Sequence, residues 1–302
     1  MACVTAVALT AGARADDTVP TPLSAASAPA SDAIQPSWSL RLPGSDQPLS
    51  WRGATSFDDA GGGAYGMLYP APNVVGLLAA VATHAFIADS VKNSQKEKLR
   101  TAADQVLTPY RPVLEAFTAR ELYTRAAERT RLGGRAALLE ADQASATDRI
   151  VEAVPVFTMT QDQQALLLET SIAISRRGGD PTGTERSVVR VVSDAWPAEA
   201  EAPESLWSAD SGSRLKDASV EMFVQSLEIA MTAQLPPEAG KAVPPFKTFR
   251  YIEGRTERME RGQLVRDACD RIVIRTLRGA LMSIPVRPGS DRSGCSAPKP
   301  VS

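Results

Sequence analysis

The sequence predicts an α+β fold: a long helix pair packed on a mainly antiparallel sheet, with a further helix between two runs of strands. Residues 73–107 form a strongly apolar stretch with helical spacing. Residues 149–194 contain three short strand patterns separated by turn residues, and residues 247–282 contain a second such run. A helical pattern over residues 205–235 separates the two runs, which places it between two parts of the sheet.

The first predicted helix spans Asn73–Leu107. Asn73 is a favourable N-cap residue, because its side-chain oxygen can accept a backbone N–H of the first turn. The apolar block Val74–Ala88 is followed by a charged continuation, KNSQKEKL. A membrane span needs about 20 apolar residues, so this shorter block predicts a buried core helix rather than a transmembrane one.

A second helix is predicted over residues 113–132, after the break at Thr108–Pro112, and the adjacent glycines Gly133 and Gly134 end it. The short connection predicts that the two helices are antiparallel neighbours. Residues 136–146 predict a weaker third helix.

Strand patterns dominate the rest of the chain. Asp162 lies in the turn after the first strand, where its carboxylate can bond the nearby backbone. The predicted strands are Arg149–Phe157, Ala165–Ser175 and Ser187–Asp194, which form an antiparallel meander, and then Lys247–Glu253, Arg261–Arg266 and Arg271–Met282.

Four regions follow from these patterns. Residues 1–15 are predicted to be a signal peptide, with an apolar core and the A-x-A site Ala13–Ala15 but without a positive n-region. A lipoprotein cleavage motif ending at Cys3 is the alternative. Residues 16–60 are rich in Pro, Ser and Ala and predict a disordered leader, whose end Trp38 and Trp51 could hold against the body. Residues 61–286 form a single α+β domain, and residues 287–302 form a disordered tail.

Charge is nearly balanced over the whole chain. The net charge of -2 and the pI of about 5.7 argue against nucleic acid as a partner. Residues 246–292 depart from this balance, with 11 Lys and Arg against 6 Asp and Glu. We interpret the excess first as a sheet with alternating exposed arginines, and second as a surface that faces anions or lipid headgroups.

Motifs for familiar chemistry are missing or lack their context. The glycines of GGGAYG (residues 61–66) match a dinucleotide fingerprint, but Pro70 and Pro72 forbid the helix that this motif requires. The carboxylate pair Asp58 and Asp59 lies in the same glycine-rich region, where solvation explains it. A single histidine and few cysteines make a zinc site improbable. We therefore predict neither a metal nor a cofactor.

His84 is the one candidate ligand-binding residue. It lies on a face of small residues in the first helix, where the simplest interpretation is a core histidine bonded to a carbonyl or carboxylate. The alternative is a pH-sensitive or ligand-contacting group in a cleft. Cys269 and Cys295 are a candidate disulfide that would stabilise the fold by about 3 kcal/mol, and two free thiols are the alternative.

Three segments together resemble a group of uncharacterised bacterial envelope proteins: GLLAAVATHAFI with KEKL, VEAVPVFTMTQDQQALLLETSIAI, and RTLRGALMSIP. The resemblance covers the middle and C-terminal two thirds of the chain. It implies a signal sequence and a periplasmic or membrane-tethered setting, and it supplies no activity, cofactor or site residues.

The leading functional prediction is an exported, non-enzymatic interaction or assembly module with an unidentified envelope protein as its partner. One alternative is a hydrolase of unfamiliar type with a site near His84. Another is peripheral contact with a membrane surface through Val74–Ala88 and the basic strands. The oligomeric state does not follow from the sequence.

Overall fold

The alternating apolar segments build a mostly antiparallel sheet of ten strands within the part of the chain that the structure describes. The computed structural model describes residues 38–44, 48–55, 97–130, 136–179, 183–194, 203–233, 244–268 and 270–286, and all of them belong to the unit Ile34–Ser302. The α+β class and the mainly antiparallel sheet are confirmed. The packing of a long helix pair on that sheet stays a prediction.

The described helices are α1 (Arg111–Ala116), α2 (Ala119–Arg129) and α3 (Pro203–Ala233), preceded by a 3-10 helix, Asp104–Tyr110. The strands are β1 (Trp38–Arg41), β2 (Ser50–Gly53), β3 (Ala136–Leu139), β4 (Arg149–Met159), β5 (Leu166–Arg176), β6 (Glu185–Val192), β7 (Phe246–Glu253), β8 (Thr256–Asp267), β9 (Arg271–Thr276) and β10 (Leu281–Pro285). Their order in the sheet is β3-β1-β4-β5-β6-β10-β9-β8-β7, and β2 also pairs with β4.

The predicted meander of β4, β5 and β6 is confirmed, and both of its pairings are antiparallel. Pro155 lies inside β4, although proline cannot donate a ladder hydrogen bond. On that side of β4, β1 pairs with Arg149–Glu152 and β2 pairs with Val156–Met159. Pro155 therefore lies in the gap between two short partner strands, where no donor is required.

The prediction of a disordered leader up to residue 60 is wrong for two segments. Trp38–Arg41 and Ser50–Gly53 are strands that run parallel to β4. Trp38 is fully buried, and the ring of Trp51 stacks on Phe157 with centroids 4.6 Å apart. Burial of these aromatic rings and pairing with a distant strand supply the stability that the local composition lacks. The domain therefore starts before residue 61.

Two further predictions of secondary structure are wrong. Ala136–Leu139 is a strand parallel to β1 rather than a helix, because tertiary pairing overrides the helix preference of Ala and Leu. The single strand predicted over Arg271–Met282 is the hairpin of β9 and β10. Gly279 permits its turn, with a φ of +82°, and the Thr276 N–H donates to the carbonyl of Ala280 at 2.8 Å.

The predicted second helix is also divided. Phe117 and Thr118 are extended and separate α1 from α2. Thr118 caps α2, because its side chain accepts a hydrogen bond from the Glu121 N–H at 3.1 Å. Of the first predicted helix, residues 97–103 are helical and the chain then tightens into the 3-10 helix.

The helix predicted between the two runs of strands is confirmed as α3, with a break at Ala209–Gly212, where three residues have positive φ. Helices and sheet share a core that includes Tyr123, Phe157 and Phe223. A second apolar cluster lies on the other face of the sheet. Leu168 and Val191 belong to the first core, whereas their neighbours Leu167 and Val192 belong to the second, because successive strand residues face opposite sides. This second core includes Tyr251 of β7, and Phe249 of β7 packs against it.

Candidate functional site: an arginine face at the end of the sheet

The last strands of the sheet present an exposed surface that we call the arginine face. The register places Thr248 opposite Arg261 and Arg250 opposite Met259 on β7 and β8. Residues directly opposite each other in an antiparallel pair share a face. The next pairing, Gln263 with Arg275, continues this face onto β9. The face consists of Phe246, Thr248, Arg250, Ile252, Glu257, Met259, Arg261, Gln263 and Arg275. Exposed Leu277 follows β9 in the turn to β10.

Three arginines cross this face diagonally. Arg261 on β8 is two residues from Met259, the direct partner of Arg250 on β7. Arg275 on β9 is the direct partner of Gln263, which is two residues from Arg261. Neighbouring arginine side chains therefore start about 7–8 Å apart. Glu257 approaches Arg250 at the limit of an ion pair, 4.0 Å. Among the described residues, no carboxylate forms an ion pair with Arg261 or Arg275. With three arginines against the single carboxylate of Glu257, the described residues of this face carry a net positive charge.

Apolar side chains border the arginines and are unusually exposed. Met259 is 63% exposed, Leu277 61% and Phe246 44%. Single exposed apolar residues are common on protein surfaces. Here Met259 and Phe246 lie beside cations on one sheet face, which gives the surface the mixed aromatic, methionine and arginine character that is enriched in protein interfaces.

Asp162 fixes the position of the β7–β8 hairpin that carries this face. Its Oδ2 accepts a hydrogen bond from the Arg255 backbone N–H at 2.6 Å. Gly254, the other residue of the hairpin loop, has a φ of +63°, and a Cβ there would lie 2.4 Å from the same oxygen. Only glycine fits this position. With the Gln164 amide oxygen turned toward Arg255, that oxygen accepts two guanidinium hydrogen bonds at 2.9 Å.

The expected role of Asp162 in its turn is confirmed, since its Oδ1 accepts from Thr160 Oγ1 at 2.5 Å and from the Gln164 N–H at 3.1 Å. The turn Thr160–Gln164 also bonds the helical side of the fold. Gln163, at a φ of +57°, accepts from the Tyr110 hydroxyl at 2.6 Å and from Trp207 Nε1 at 2.7 Å. Burial, and secondarily Glu204, raise the pKa of Tyr110 to about 12. One turn thus connects helices, meander and hairpin.

The opposite side of the hairpin is held by the second core. Tyr251 is buried there, and this burial raises the pKa of its hydroxyl, with a smaller contribution from Glu253. Glu260 lies on the same side of β8, and burial raises the pKa of its carboxyl while Arg190 and Arg278 act in the other direction. The arginine face is therefore the solvent side of a well-packed hairpin.

Arg271 ties this end of the sheet to β6. Its Nη1 lies 2.7 Å from Asp194 Oδ1, its Nε donates to Ser283 Oγ at 3.1 Å, and its Nη2 donates to the carbonyl of Val192. Burial lowers the pKa of this guanidinium, and Asp194 opposes the shift. Because the Arg271 guanidinium bonds groups of this same chain, Arg271 has a structural role and is not part of the arginine face.

The candidate site residues predicted from the sequence are not among the described residues. His84, Cys269 and Cys295 fall outside the described residues, as do the GGGAYG segment and the pair Asp58 and Asp59. The ligand-site, disulfide and hydrolase predictions therefore stay predictions. An open depression of about 510 Å³ lies along the helical segment 97–105, which directly follows the undescribed residues 56–96 in the sequence.

Among the described residues, no group of three or more His, Cys, Asp or Glu side chains is placed to hold a metal ion. No helix in this part of the chain is long and apolar enough to cross a membrane.

Sequence reasoning missed the residues that define the arginine face. The excess of positive charge over residues 246–292 was the only signal available. Which arginines share a face depends on the register of β7, β8 and β9, and the pattern did not fix that register. The interpretation as a sheet with exposed arginines agrees with the exposure of Arg250, Arg261 and Arg275.

Comparisons of this chain with protein-family models, with curated proteins and with solved structures found no match.

Proposed function

We propose that this protein is an exported envelope protein that works as a non-enzymatic interaction or assembly module, with the arginine face as its partner-binding surface. The observation that carries the proposal is that Arg261 and Arg275, which form no ion pair with a described carboxylate, share a sheet face with exposed Met259 and Phe246. Asp162 holds the hairpin that carries most of this face. Binding surfaces are favoured where such side chains are held in place before the partner arrives, because less side-chain ordering opposes association.

Export rests on the N-terminal sequence. The apolar segment before Ala13–Ala15 and the acidic residues after it are typical of a secretory signal, and the resemblance to envelope proteins points the same way. Fractionation of cells that express a C-terminally tagged full chain tests this part. We expect an envelope or periplasmic pool whose mass shows removal of the N-terminal segment. A purely cytoplasmic pool with an intact N-terminus contradicts it.

The surface is tested by affinity capture from the native envelope with matched variants. Arg261→Gln with Arg275→Gln removes two charges from the arginine face. Arg186→Gln is the control, because Arg186 is an exposed arginine on β6 on the opposite face of the sheet. We expect the double variant to lose at least about 90% of a captured partner that wild type and control retain, roughly tenfold in affinity. Equal capture by all three proteins refutes the surface assignment.

Association with an anionic membrane surface is the second candidate. The same mixture of arginines and exposed apolar side chains favours it, since both contribute to binding at a headgroup layer. Flotation with vesicles containing phosphatidylglycerol is the test. Flotation at low salt that is lost at high salt and in the double variant supports this candidate, and no flotation at low salt removes it.

A further inference from the structure

We infer that β7 accepts an acidic, extended segment of a partner protein as an added strand, with the arginine face contacting its carboxylates. This inference rests on the proposed interaction function and names the chemistry of the partner. Strand addition combines main-chain hydrogen bonds with alternate side-chain contacts, and the end of this sheet offers both.

One edge of β7 pairs with no other strand in the part of the chain that the structure describes. Its hairpin loop contains two residues, Gly254 and Arg255, so the flanking pair Glu253 and Thr256 is hydrogen-bonded. Hydrogen-bonded and non-hydrogen-bonded pairs alternate along an antiparallel ladder. The backbone N–H and C=O groups of the non-hydrogen-bonded positions therefore point away from β8. These positions are Phe246, Thr248, Arg250 and Ile252.

No other described segment takes these groups. β7 is the last strand in the sheet order, and outside its ladder with β8 none of its backbone groups bonds another described segment. The first half of β7 is also the exposed half. An added strand would therefore find a row of donors and acceptors at alternate residues.

The charges of this edge select the partner. Lys247 and Arg250 are exposed on opposite faces of β7, and Arg261 lies in the next row. A second copy of β7 in antiparallel pairing would bring these cations close to their own equivalents, and like charges across a strand pair are destabilising. Lysine on an edge strand also commonly prevents self-association. An acidic segment of a partner protein would not be repelled by Lys247, Arg250 or Arg261.

The apolar neighbours sharpen the expected pattern. An added strand places every second side chain on the arginine face, beside Phe246, Thr248 and Arg250 in turn. An acidic side chain fits beside Arg250, and an apolar one fits beside exposed Phe246. The residue next to this apolar side chain, opposite Lys247, reaches the other face of the sheet, where Lys247 favours a second acidic side chain. A lipid headgroup could contact the same arginines but would not need the backbone groups.

Peptide binding to the full chain tests this inference. The probe is a ten-residue peptide with two copies of the sequence Glu-Thr-Thr-Glu-Val, which in antiparallel pairing places one glutamate beside Arg250, the next beside Lys247 and a valine beside Phe246. Its first control replaces glutamate by lysine. The second control keeps every side chain and carries N-methyl groups on all backbone nitrogens, which blocks pairing along both edges of the peptide. We expect binding of the glutamate peptide, weakened by added salt, and at least about tenfold weaker binding of both controls.

Protein variants separate the backbone contribution from the charge. Thr248→Pro removes an outward N–H without breaking the ladder to β8, and Thr248→Val is its matched control. Arg250→Gln with Arg261→Gln removes charge, and Arg186→Gln is the control for that change. We expect a loss of at least about tenfold in affinity for Thr248→Pro and for the double arginine variant only, with unfolding midpoints showing that each variant is folded. Hydrogen exchange should slow at the amides of Thr248 and Arg250 when the peptide binds.

Three results of the peptide-binding measurements overturn strand addition. They are no binding at up to about 1 mM glutamate peptide, equal binding of the N-methylated peptide, and equal affinity of Thr248→Pro and Thr248→Val. Flotation of the protein on phosphatidylglycerol vesicles without peptide binding also overturns it, in favour of lipid. If envelope capture depends on the arginines but not on Thr248→Pro, the interaction function stands and strand addition is wrong. If capture is insensitive to the arginines, the proposed binding surface itself fails.

Discussion

Asp162→Ala is the substitution that tests most directly how the hairpin is held in place. The alanine removes three accepted hydrogen bonds, from Thr160 Oγ1, from the Gln164 N–H and from the Arg255 N–H. Each contributes about 1 kcal/mol net. Water can replace the partner of the exposed Arg255 amide, so we expect a total loss of about 2–3 kcal/mol. For a chain of this size this corresponds to roughly 5–10 °C in the unfolding midpoint.

Asp162→Asn separates the local turn from the contact with the hairpin. The asparagine keeps one oxygen, which can still accept from Thr160 and the Gln164 N–H. Its amide nitrogen would then face the Arg255 N–H, donor against donor. We therefore expect a smaller loss, about 1–2 kcal/mol, together with faster hydrogen exchange at the Arg255 amide. Asp162→Ala should show the same fast exchange.

Urea unfolding followed by tryptophan fluorescence is the assay, because Trp207 donates to the same turn through Gln163. Asp142→Ala is the control, since Asp142 is an exposed turn aspartate for which the structure shows no side-chain hydrogen bond or ion pair. We expect it to stay within about 0.5 kcal/mol of wild type. If Asp162→Ala is equally neutral, the carboxylate does not hold the hairpin and our account of the turn is wrong.

Three other substitutions test separate features by equilibrium unfolding. Gly212→Ala should cost at least about 2 kcal/mol, because φ is +77° and the new Cβ would lie 2.2 Å from Val113 Cγ1; a neutral effect contradicts that close approach. Tyr123→Phe should cost about 1–2 kcal/mol, since it leaves the buried carbonyl of Ala153 without its donor; an unchanged midpoint argues against that bond. Burial raises the pKa of Glu260 above 4.5, so its stabilising contribution is complete below that ordinary value and is lost as pH rises through the raised one. Glu260→Gln should therefore be more stable than wild type at neutral pH but not at pH well below 4.5, and a pH-independent difference would contradict the shift.

The meander was predictable because its information is local. Branched apolar residues alternate with polar ones through β4, β5 and β6, and glycine-rich or polar turns separate them. The predicted boundaries fall within about two residues of the observed ones. The helix of residues 203–233 was predictable for the same reason, although its break was not. Nothing in the pattern at Ala209–Gly212 distinguishes a break from a glycine inside a helix.

The parallel strands were not predictable because their partners are distant. β1 and β2 contain four residues each, and both pair with β4 about a hundred positions later. A segment this short carries no periodicity of its own, and its surroundings of Pro, Ser and Ala argue for disorder. β3 fails for a related reason, since its sequence AALL favours a helix until β1 lies beside it. In each case long-range pairing decided the structure.

The membership of the arginine face was also not predictable from the sequence, because it depends on strand pairing. Counting charge located the basic segment, but only the register of β7, β8 and β9 shows that Arg250, Arg261 and Arg275 form one diagonal. A slip of one residue between β7 and β8 would move either Arg250 or Arg261 to the other face. Because Asp162 holds the hairpin loop at Gly254 and Arg255 against the meander, the hydrogen bonds of one turn constrain where the arginine face is presented. If the face binds a partner, weakening the Asp162 contacts should therefore weaken binding before the domain unfolds, although Asp162 itself would touch no ligand.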